Sequence, residues 1–170
     1  HAVRAAGGRI EHSLSIIDGF SAVVPSGAIP RLSIEPGVRW VSPNRPLHTV
    51  GQYGQDSGTA SAVYTDVTRA SKAWSMADTG FGVTVAVIDS GVSNHPDLKG
   101  RVVANVDFTR KGAATKDGFG HGTHLAGIIA GGGLNERGIA PDAQIVNLRV
   151  MDDDGNGQTS DVIEAIDWAI

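Results

Sequence analysis

The sequence predicts an α/β fold: a partial parallel sheet with flanking helices, preceded by a small α+β module. Residues 83–88, Val-Thr-Val-Ala-Val-Ile, form a β-branched run with little polar interruption. Such a run is typical of a strand that is buried on both faces of a parallel sheet. A helix candidate at Gly122–Ala130, a strand candidate at Gln144–Val150 and a helix from about Asp161 then follow in alternation. This alternation of strands and helices indicates α/β layers, with functional groups at the carboxyl ends of the strands.

The composition is that of a globular protein. Of the 170 residues, 41% are hydrophobic and 19% are charged. No apolar run approaches the roughly 18 residues that a membrane span needs. A formal net charge of -4 offers no basic surface for nucleic acid. The sequence contains no cysteine, which excludes disulfide scaffolds, thiolate catalysis and cysteine zinc sites. We therefore expect neither a nucleic-acid partner nor a membrane partner.

Composition divides the chain into an N-terminal module over 1–48, a linker over 49–66 and the main α/β region over 67–170. The linker is small, polar and rich in Gly and Ser, as flexible connectors are. The N-terminal module has the pattern of a small βαβ-like unit. Its predicted elements are the end of a helix at 2–6, strands at 9–17, 20–24 and 38–41, and a turn-rich or short helical stretch at 25–36.

The main region begins with a short helix candidate at 71–76. In its last helix, Asp161 and Glu164 have the spacing of a capping box. The sequence opens with His1 rather than Met and closes at Ile170 within an apolar periodic stretch, which indicates a piece of a longer precursor. A sheet lacking further strands would expose apolar surface on the strands at 83–88 and 145–150.

Two segments carry side chains suited to catalysis. Asp89 ends the buried strand, where a parallel sheet opens to its ligand face, although it could equally cap the turn through Ser90 and Gly91. His121 opens the helix in Gly-His-Gly-Thr-His-Leu-Ala-Gly, residues 120–127. In that helix Gly122 and Gly127 would allow close packing against neighbouring backbone. His124, one turn on, is expected to be a buried histidine bonded to backbone.

Asp89 and His121 are separated by 121 − 89 = 32 residues, which is one crossover from strand end to helix start. An aspartate that accepts from one imidazole nitrogen fixes the tautomer and leaves the other nitrogen to take a proton from a nucleophile. A metal hydrolase that uses Asp89, His121 and His124 is an alternative. It lacks the His-Glu-x-x-His spacing and the glutamate base of the common zinc enzymes.

These segments resemble those of the subtilisin-like serine proteases, the subtilases. The resemblance covers residues 68–170 and rests on five motifs in the family's order: Val-Ala-Val-Ile-Asp-Ser-Gly-Val, His-Pro-Asp-Leu, His-Gly-Thr-His-Leu-Ala-Gly, Gly-Ile-Ala-Pro-Asp-Ala and Val-Met-Asp-Asp-Asp-Gly-Asn-Gly. It implies an α/β serine endopeptidase with Asp89 as the triad acid and His121 as the general base. Gly155, Asn156 and Gly157 would pair with a polypeptide substrate as an added strand, and Met151 would line the same cleft.

The resemblance also implies a place for the N-terminal module. Residues 7–48 are similar to the family's inhibitory propeptide, which implies that the chain's own propeptide acts as an intramolecular inhibitor. A secreted, extracellular enzyme is implied by the family and by this propeptide. The maturation cleavage is expected between Leu47 and Ala62.

The sequence departs from the family pattern in its serines. The family's nucleophilic Ser, in a Gly-Thr-Ser motif, is expected well downstream of His121, but only Ser160 follows, without that motif. Ser61 echoes the motif but precedes Asp89 and lies in the linker. We therefore expect these 170 residues to be inactive alone. A non-catalytic subtilase, or a protein that uses residues 1–48 to inhibit a protease, is the alternative.

No cofactor is required by this interpretation, and calcium enters only as a structural ion. Asp97, in His-Pro-Asp-Leu, matches a calcium ligand of many subtilases, although a solvated turn residue fits the sequence equally well. The run from Asp152 to Gly157 matches the front half of an EF-hand loop. Its position twelve is Ile163 rather than Glu, and a strand rather than a helix precedes it, which argues against an EF-hand.

Overall fold

The structure, a computed structural model, describes residues 1–49, 63–110, 115–133 and 137–170. These residues form two compact units, one made of 1–47 with 158–170 and the other of 48–157. Most of the predicted linker, including Ser61, lies outside the described residues, so the domain boundaries given above stay predictions. Within the described part of the chain, no helix is both long enough and apolar enough to cross a membrane.

The first unit begins with helix α1 (Ala2–Ala5), which ends before Gly7, a glycine with a φ of 78°. Strand β1 (Arg9–Leu14) pairs antiparallel with β2 (Gly19–Val23) through a single 3₁₀ turn. These two strands form a hairpin, because a connection this short joins antiparallel neighbours. The predicted βαβ-like arrangement is wrong, because no strand forms at 38–41 after the helical stretch.

The rest of the module contains helix α2 (Ile29–Leu32), inside the stretch predicted to be turn-rich or helical. The strand predicted at 38–41 is wrong: that segment is irregular, and the next strand is β3 (Pro46–His48). The apolar residues at 38–41 are not buried, with Trp40 68% exposed. A short apolar run with no buried face gains nothing from pairing as a strand.

Helix α6 (Thr159–Ala169) belongs to this first unit and packs on β1. It starts two residues before Asp161, so the predicted capping box is wrong and Asp161 lies in the first turn. The cap comes instead from Asn44, far away in the sequence. The Asn44 Oδ1 accepts from the Ser160 backbone N–H at 3.0 Å, and its Nδ2 donates to the Ser160 Oγ at 2.9 Å. At the other end of the helix, the Asp167 carboxylate accepts from the backbone N–H of Ser15 at 2.7 Å.

The second unit is built on a parallel sheet, which confirms the α/β fold. Its strands are β4 (Thr84–Asp89), β5 (Val102–Asp107) and β6 (Gln144–Arg149), in the order β4-β6-β5. Strand β5 was not predicted, because its run is short and interrupted by Asn105. In the sheet, the Asn105 Oδ1 accepts from the Asn147 Nδ2 at 2.9 Å.

The central position of β6 corrects one expectation. Ile145 and Leu148 of the central strand β6, and Val150 just after it, are fully buried rather than exposed. The expectation holds at the edge strand, where Val83 is 53% exposed and burial alternates along β4. The remaining elements with residues in this unit are α3 (Val63–Val67), α4 (Ala70–Ser75), α5 (His121–Ala130) and β7 (Asn156–Gln158).

Helix α5 covers the sheet with its small residues. Ala126 and Ala130 are fully buried in a core that also contains Val87 of β4 and Ile145 of β6. The buried positions of this helix repeat every four residues from 122, so position 124 falls on the opposite face. His124 is accordingly exposed, and its prediction as a buried histidine is wrong.

Candidate active site

Asp89 and His121 meet at the carboxyl end of the parallel sheet. Asp89 is the last residue of β4 and is 6% exposed, and His121 is the first residue of α5. The His121 Nδ1 lies 2.8 Å from each carboxylate oxygen of Asp89. A carboxylate only accepts hydrogen bonds, so Nδ1 carries the proton and donates it. The Nε2 atom of a neutral ring is then left as a proton acceptor.

Asp89 also holds the turn that follows it. Its Oδ1 accepts from the backbone N–H of Ser90 at 2.7 Å. The Ser90 Oγ lies 3.1 Å from this oxygen and 2.8 Å from the Asp117 Oδ1, and it accepts from the Gly122 N–H at 3.0 Å. The two interpretations of Asp89 given by its sequence context, a turn cap and a partner for histidine, are therefore compatible, because one carboxylate does both.

Asp117 fixes the start of the helix that carries His121. The N-cap position is Gly120, which has no side chain to offer. The Asp117 Oδ1 accepts from the Gly120 N–H at 2.7 Å, and its Oδ2 accepts from the N–H and Oγ1 of Thr123 at 2.8 and 2.6 Å. These bonds supply the acceptors that the first turn of a helix lacks, and a negative charge at this end is favoured by the helix dipole.

The close approach of α5 to β4 depends on Gly122. A Cβ atom at Gly122 would overlap the carbonyl oxygen of Gly91 and would lie 3.1 Å from the Cβ of Asp89. Gly91 itself has a φ of 118°, which favours glycine. A Cβ at Gly127, by contrast, would contact nothing within 4 Å, so the predicted packing role of Gly127 is wrong.

The predicted substrate-binding residues form an edge that the chain itself already contacts. Met151 and Gly157 make an antiparallel bridge around a turn at residues 152–156. On this turn, the Gly155 carbonyl accepts from the backbone N–H of Thr49 at 3.2 Å. The Asn156 Oδ1 accepts from the His48 Nδ1 at 2.6 Å. Residues 48–49 therefore lie against 155–156 with a main-chain bond, as an added strand would.

Phe119 connects this edge to the histidine. A Cβ at Gly155, whose φ is 75°, would lie 2.9 Å from the Phe119 ring. The same ring has its centroid 6.5 Å from that of His121. Glycine at position 155 thus allows the turn to approach the aromatic ring beside the His121 side chain.

The Arg149 side chain bonds to the turn at residues 152–156 and to the residue before it. This side chain is almost completely buried at the end of β6, where its Nε donates to the Met151 carbonyl at 3.0 Å. Its Nη2 lies 2.8 Å from the Asp153 Oδ1, which also accepts from the Gly118 N–H at 3.2 Å. Arg149 therefore holds Asp153, and Asp153 links the predicted substrate edge to the loop that leads to His121.

A cavity of about 480 Å³ lies beside α5, with Tyr64, His95, Asp97 and His124 among its lining residues. The Asp97 carboxylate lies 3.8 Å from the His95 Nδ1, and the Asp97 carbonyl accepts from the Gly132 N–H at 2.7 Å. Calcium requires six to eight oxygen ligands. Among the described residues, no trio of His, Asp or Glu ligand atoms converges at Asp97. A calcium ion at Asp97 would therefore take most of its ligands from backbone and amide oxygens.

The metal-hydrolase alternative gains no support either. In the described part of the chain, Asp89, His121 and His124 do not form a group of three converging ligand atoms.

Ser160 is buried at the start of α6, where it bonds to Asn44 and lies 3.3 Å from the Asp161 Oδ1. Those bonds give Ser160 a structural role in helix capping.

Three positioning residues were missed by the sequence analysis: Ser90, Asp117 and Arg149. The sequence does contain a signal for Asp117. A glycine at a helix N-cap has no side chain to cap the helix, and an aspartate three residues earlier can supply the acceptor. Nothing in the sequence singles out Arg149, because a lone arginine at a strand end usually has its charge in solvent.

The subtilase family model matches residues 80–170. Thermitase from Thermoactinomyces vulgaris is 39% identical over 132 residues, which cover 75% of this chain and 43% of thermitase. Subtilisin E from Bacillus subtilis is 34% identical over 170 residues, covering 96% of this chain and 42% of that protein. Serine protease AprX from Bacillus subtilis is 42% identical over 96 residues, which cover 54% of this chain and 22% of that protein.

The chain spans less than half the length of each of these relatives. The match of the family model to more than half of the chain, together with the parallel sheet and the Asp89–His121 pair, shows that this chain belongs to the subtilase family.

Proposed function

We propose that this chain supplies the acid and the base of a subtilisin-type serine endopeptidase, with the attacking serine outside residues 1–170. The observation that carries the proposal is the hydrogen bond from the His121 Nδ1 to the Asp89 carboxylate at 2.8 Å. This bond selects the tautomer in which Nε2 can accept a proton from a hydroxyl.

In this mechanism the serine hydroxyl transfers its proton to the Nε2 of His121 as its oxygen attacks the scissile carbonyl carbon. Asp89 stabilises the imidazolium that forms. The imidazolium then gives its proton to the leaving amine, and an acyl-enzyme remains for hydrolysis by water. Buried Asp89 is fixed by Ser90, so the carboxylate is oriented before the proton moves.

Polypeptides are the proposed substrates, bound along Gly155, Asn156 and Gly157 with Met151 beside them. The bond between the Thr49 N–H and the Gly155 carbonyl supports this, because it shows that an extended segment can pair with the edge. We further propose that residues 1–48 are an inhibitory propeptide, whose end occupies this edge until cleavage between Leu47 and Ala62. Secretion and a structural calcium ion at Asp97 remain proposals drawn from the family.

The test uses the full-length precursor. Asp89→Asn should leave the fold intact but lower kcat by several orders of magnitude, because the amide favours the wrong histidine tautomer. Asp78→Asn, at an exposed position, is the matched control and should keep full activity. Near-normal turnover of the Asp89→Asn enzyme would show that the assigned roles are wrong. A serine-directed fluorophosphonate should label the full-length protein at a serine outside these residues.

A non-catalytic inhibitor is the second candidate, favoured by the bonds from Thr49 and His48 to residues 155–156, which already occupy the proposed substrate edge. The two candidates differ in a simple measurement. An inhibitor of this kind would block an intact subtilase in trans, and its full-length form would take no fluorophosphonate label. Labelling together with peptide hydrolysis would exclude it.

A further inference from the structure

A second cluster of ionisable side chains lies outside the site described above. His12 lies on β1, and Asp161 and Glu164 lie on α6. Each of the three offers a ligand atom, and these atoms all lie within 4.8 Å of one another. The two acidic residues are three positions apart, which places them on one face of the helix. All three belong to the first compact unit.

The cluster is partly buried and pre-oriented. Asp161 is 8% exposed, and the side chains of His12 and Glu164 are 13% and 28% exposed. The His12 Nδ1 lies 3.6 Å from the Glu164 Oε2. The Asp161 Oδ1 lies 3.3 Å from the Ser160 Oγ, and Ser160 is held in turn by Asn44. A hydroxyl beside a carboxylate is a typical outer partner of a metal ligand, because it fixes the orientation of the carboxylate.

We propose that His12, Asp161 and Glu164 bind one divalent transition-metal ion, with Zn²⁺ as the best fit. An imidazole nitrogen with two carboxylates suits zinc, whereas calcium and magnesium prefer oxygen ligands throughout. Ligand atoms 2.0–2.2 Å from a tetrahedral ion lie roughly 3.4 Å apart. The separation of 3.6 Å between the His12 Nδ1 and the Glu164 Oε2 is already close to this value, and the ligand atoms of all three residues lie within 4.8 Å of one another. Three protein ligands leave the fourth position to water.

Such an ion joins two parts of the chain that are distant in sequence. Its ligands come from a strand of the N-terminal module and from a helix that starts after residue 158. Binding therefore stabilises the packing of β1 on α6, since the ion binds the folded arrangement and not the extended chain. This inference does not depend on the proposed protease mechanism, because none of the three ligands takes part in it.

The experiment is a calorimetric titration of the 170-residue chain with ZnCl₂ in metal-free buffer. One ion per chain is expected. His12→Ala and Glu164→Gln should each raise the Kd for zinc at least roughly tenfold. The matched controls are Glu11→Gln, on the same strand but paired with Arg9, and His95→Ala, in the other unit. Both controls should bind zinc as the unchanged chain does.

Absence of binding at millimolar zinc would overturn the proposal, as would equal affinity in all four variants. An NMR titration of the unchanged chain makes the test independent of whether a variant folds. Zinc should shift the ring resonances of His12 first. Shifts at other histidines that leave His12 unmoved would assign the ion elsewhere and refute the site.

Discussion

Replacing Asp117 by asparagine tests how the candidate base is held. Both carboxylate oxygens of Asp117 accept hydrogen bonds, Oδ1 from the Gly120 N–H and Oδ2 from the N–H and Oγ1 of Thr123. Asparagine offers one acceptor oxygen and one NH₂ group. In either orientation the NH₂ group must face a backbone N–H, so at least one of these donors in the first turn of α5 loses its partner.

The size of the effect follows from the kind of bond that is lost. A hydrogen bond to a charged group contributes about 1.5–3 kcal/mol, and a donor without a partner adds a desolvation cost. We expect the free energy of unfolding of Asp117→Asn to fall by about 2–4 kcal/mol. The melting temperature should drop by roughly 2–4 °C for each kcal/mol. Asp78→Asn, exposed in the same unit, should change it by less than about 0.5 kcal/mol.

Thermal unfolding followed by circular dichroism measures the loss of stability. Amide hydrogen exchange locates it, because the N–H groups of Gly120 and Thr123 should exchange faster in the variant, while those in the middle of α5 keep their protection until global unfolding. An Asp117→Asn variant as stable as the unchanged chain, with unchanged exchange at these two amides, would refute the capping role.

Two further predictions concern packing and charge. In chemical denaturation, Gly122→Ala should destabilise the chain by about 1–3 kcal/mol, because the added Cβ would overlap the Gly91 carbonyl in the turn after β4. Gly127→Ala on the same helix has free space and should stabilise it by about 0.5–1 kcal/mol. The Thr79 hydroxyl and the Arg101 guanidinium lower the pKa of Asp142 below its usual value of 3.8, so its contribution is present above that pH and is lost as the pH falls through the lowered pKa. In melting curves recorded from pH 7 downwards, Asp142→Asn should cost under about 1 kcal/mol at pH 7. This cost should shrink as the pH falls below 3.8 through the lowered pKa. A pH-independent difference would contradict this.

The parallel core was predictable because its strands have a simple physical signature. The run at 83–88 is rich in β-branched residues, which favour strands. Its predicted burial on both faces is wrong, because β4 is an edge strand whose burial alternates along the chain. Strand β5 was missed because Asn105 breaks that pattern. Its amide oxygen accepts a hydrogen bond from Asn147 on the neighbouring strand, a partner 42 residues away that no local pattern can reveal.

The Asp89–His121 contact was predictable for a different reason. Topology brings the end of a parallel strand and the start of the following helix to the same edge of the sheet, so their spacing along the chain is informative. The residues that position this contact were harder to predict from the sequence. Asp117 acts on the helix across a Gly-Phe-Gly segment, and Arg149 acts from the end of another strand. The bonds of Asp117 are local in sequence, whereas the bond from Gly118 to Asp153, the partner of Arg149, spans 35 residues and exists only once the sheet has formed.

The capping of α6 shows why the predicted N-terminal module, residues 1–48, differs from the compact unit that the structure forms from residues 1–47 and 158–170. Local spacing favoured Asp161 as the start of the helix, but the acceptor for its first turn comes from Asn44, 116 residues before Ser160. An isolated helix of 11 residues is marginal in water. Its cap, its packing on β1 and the bond from Ser15 to Asp167 all depend on residues 1–47. Helix α6, which follows the second unit in sequence, is therefore stabilised by residues 1–47, which explains why it forms one compact unit with them.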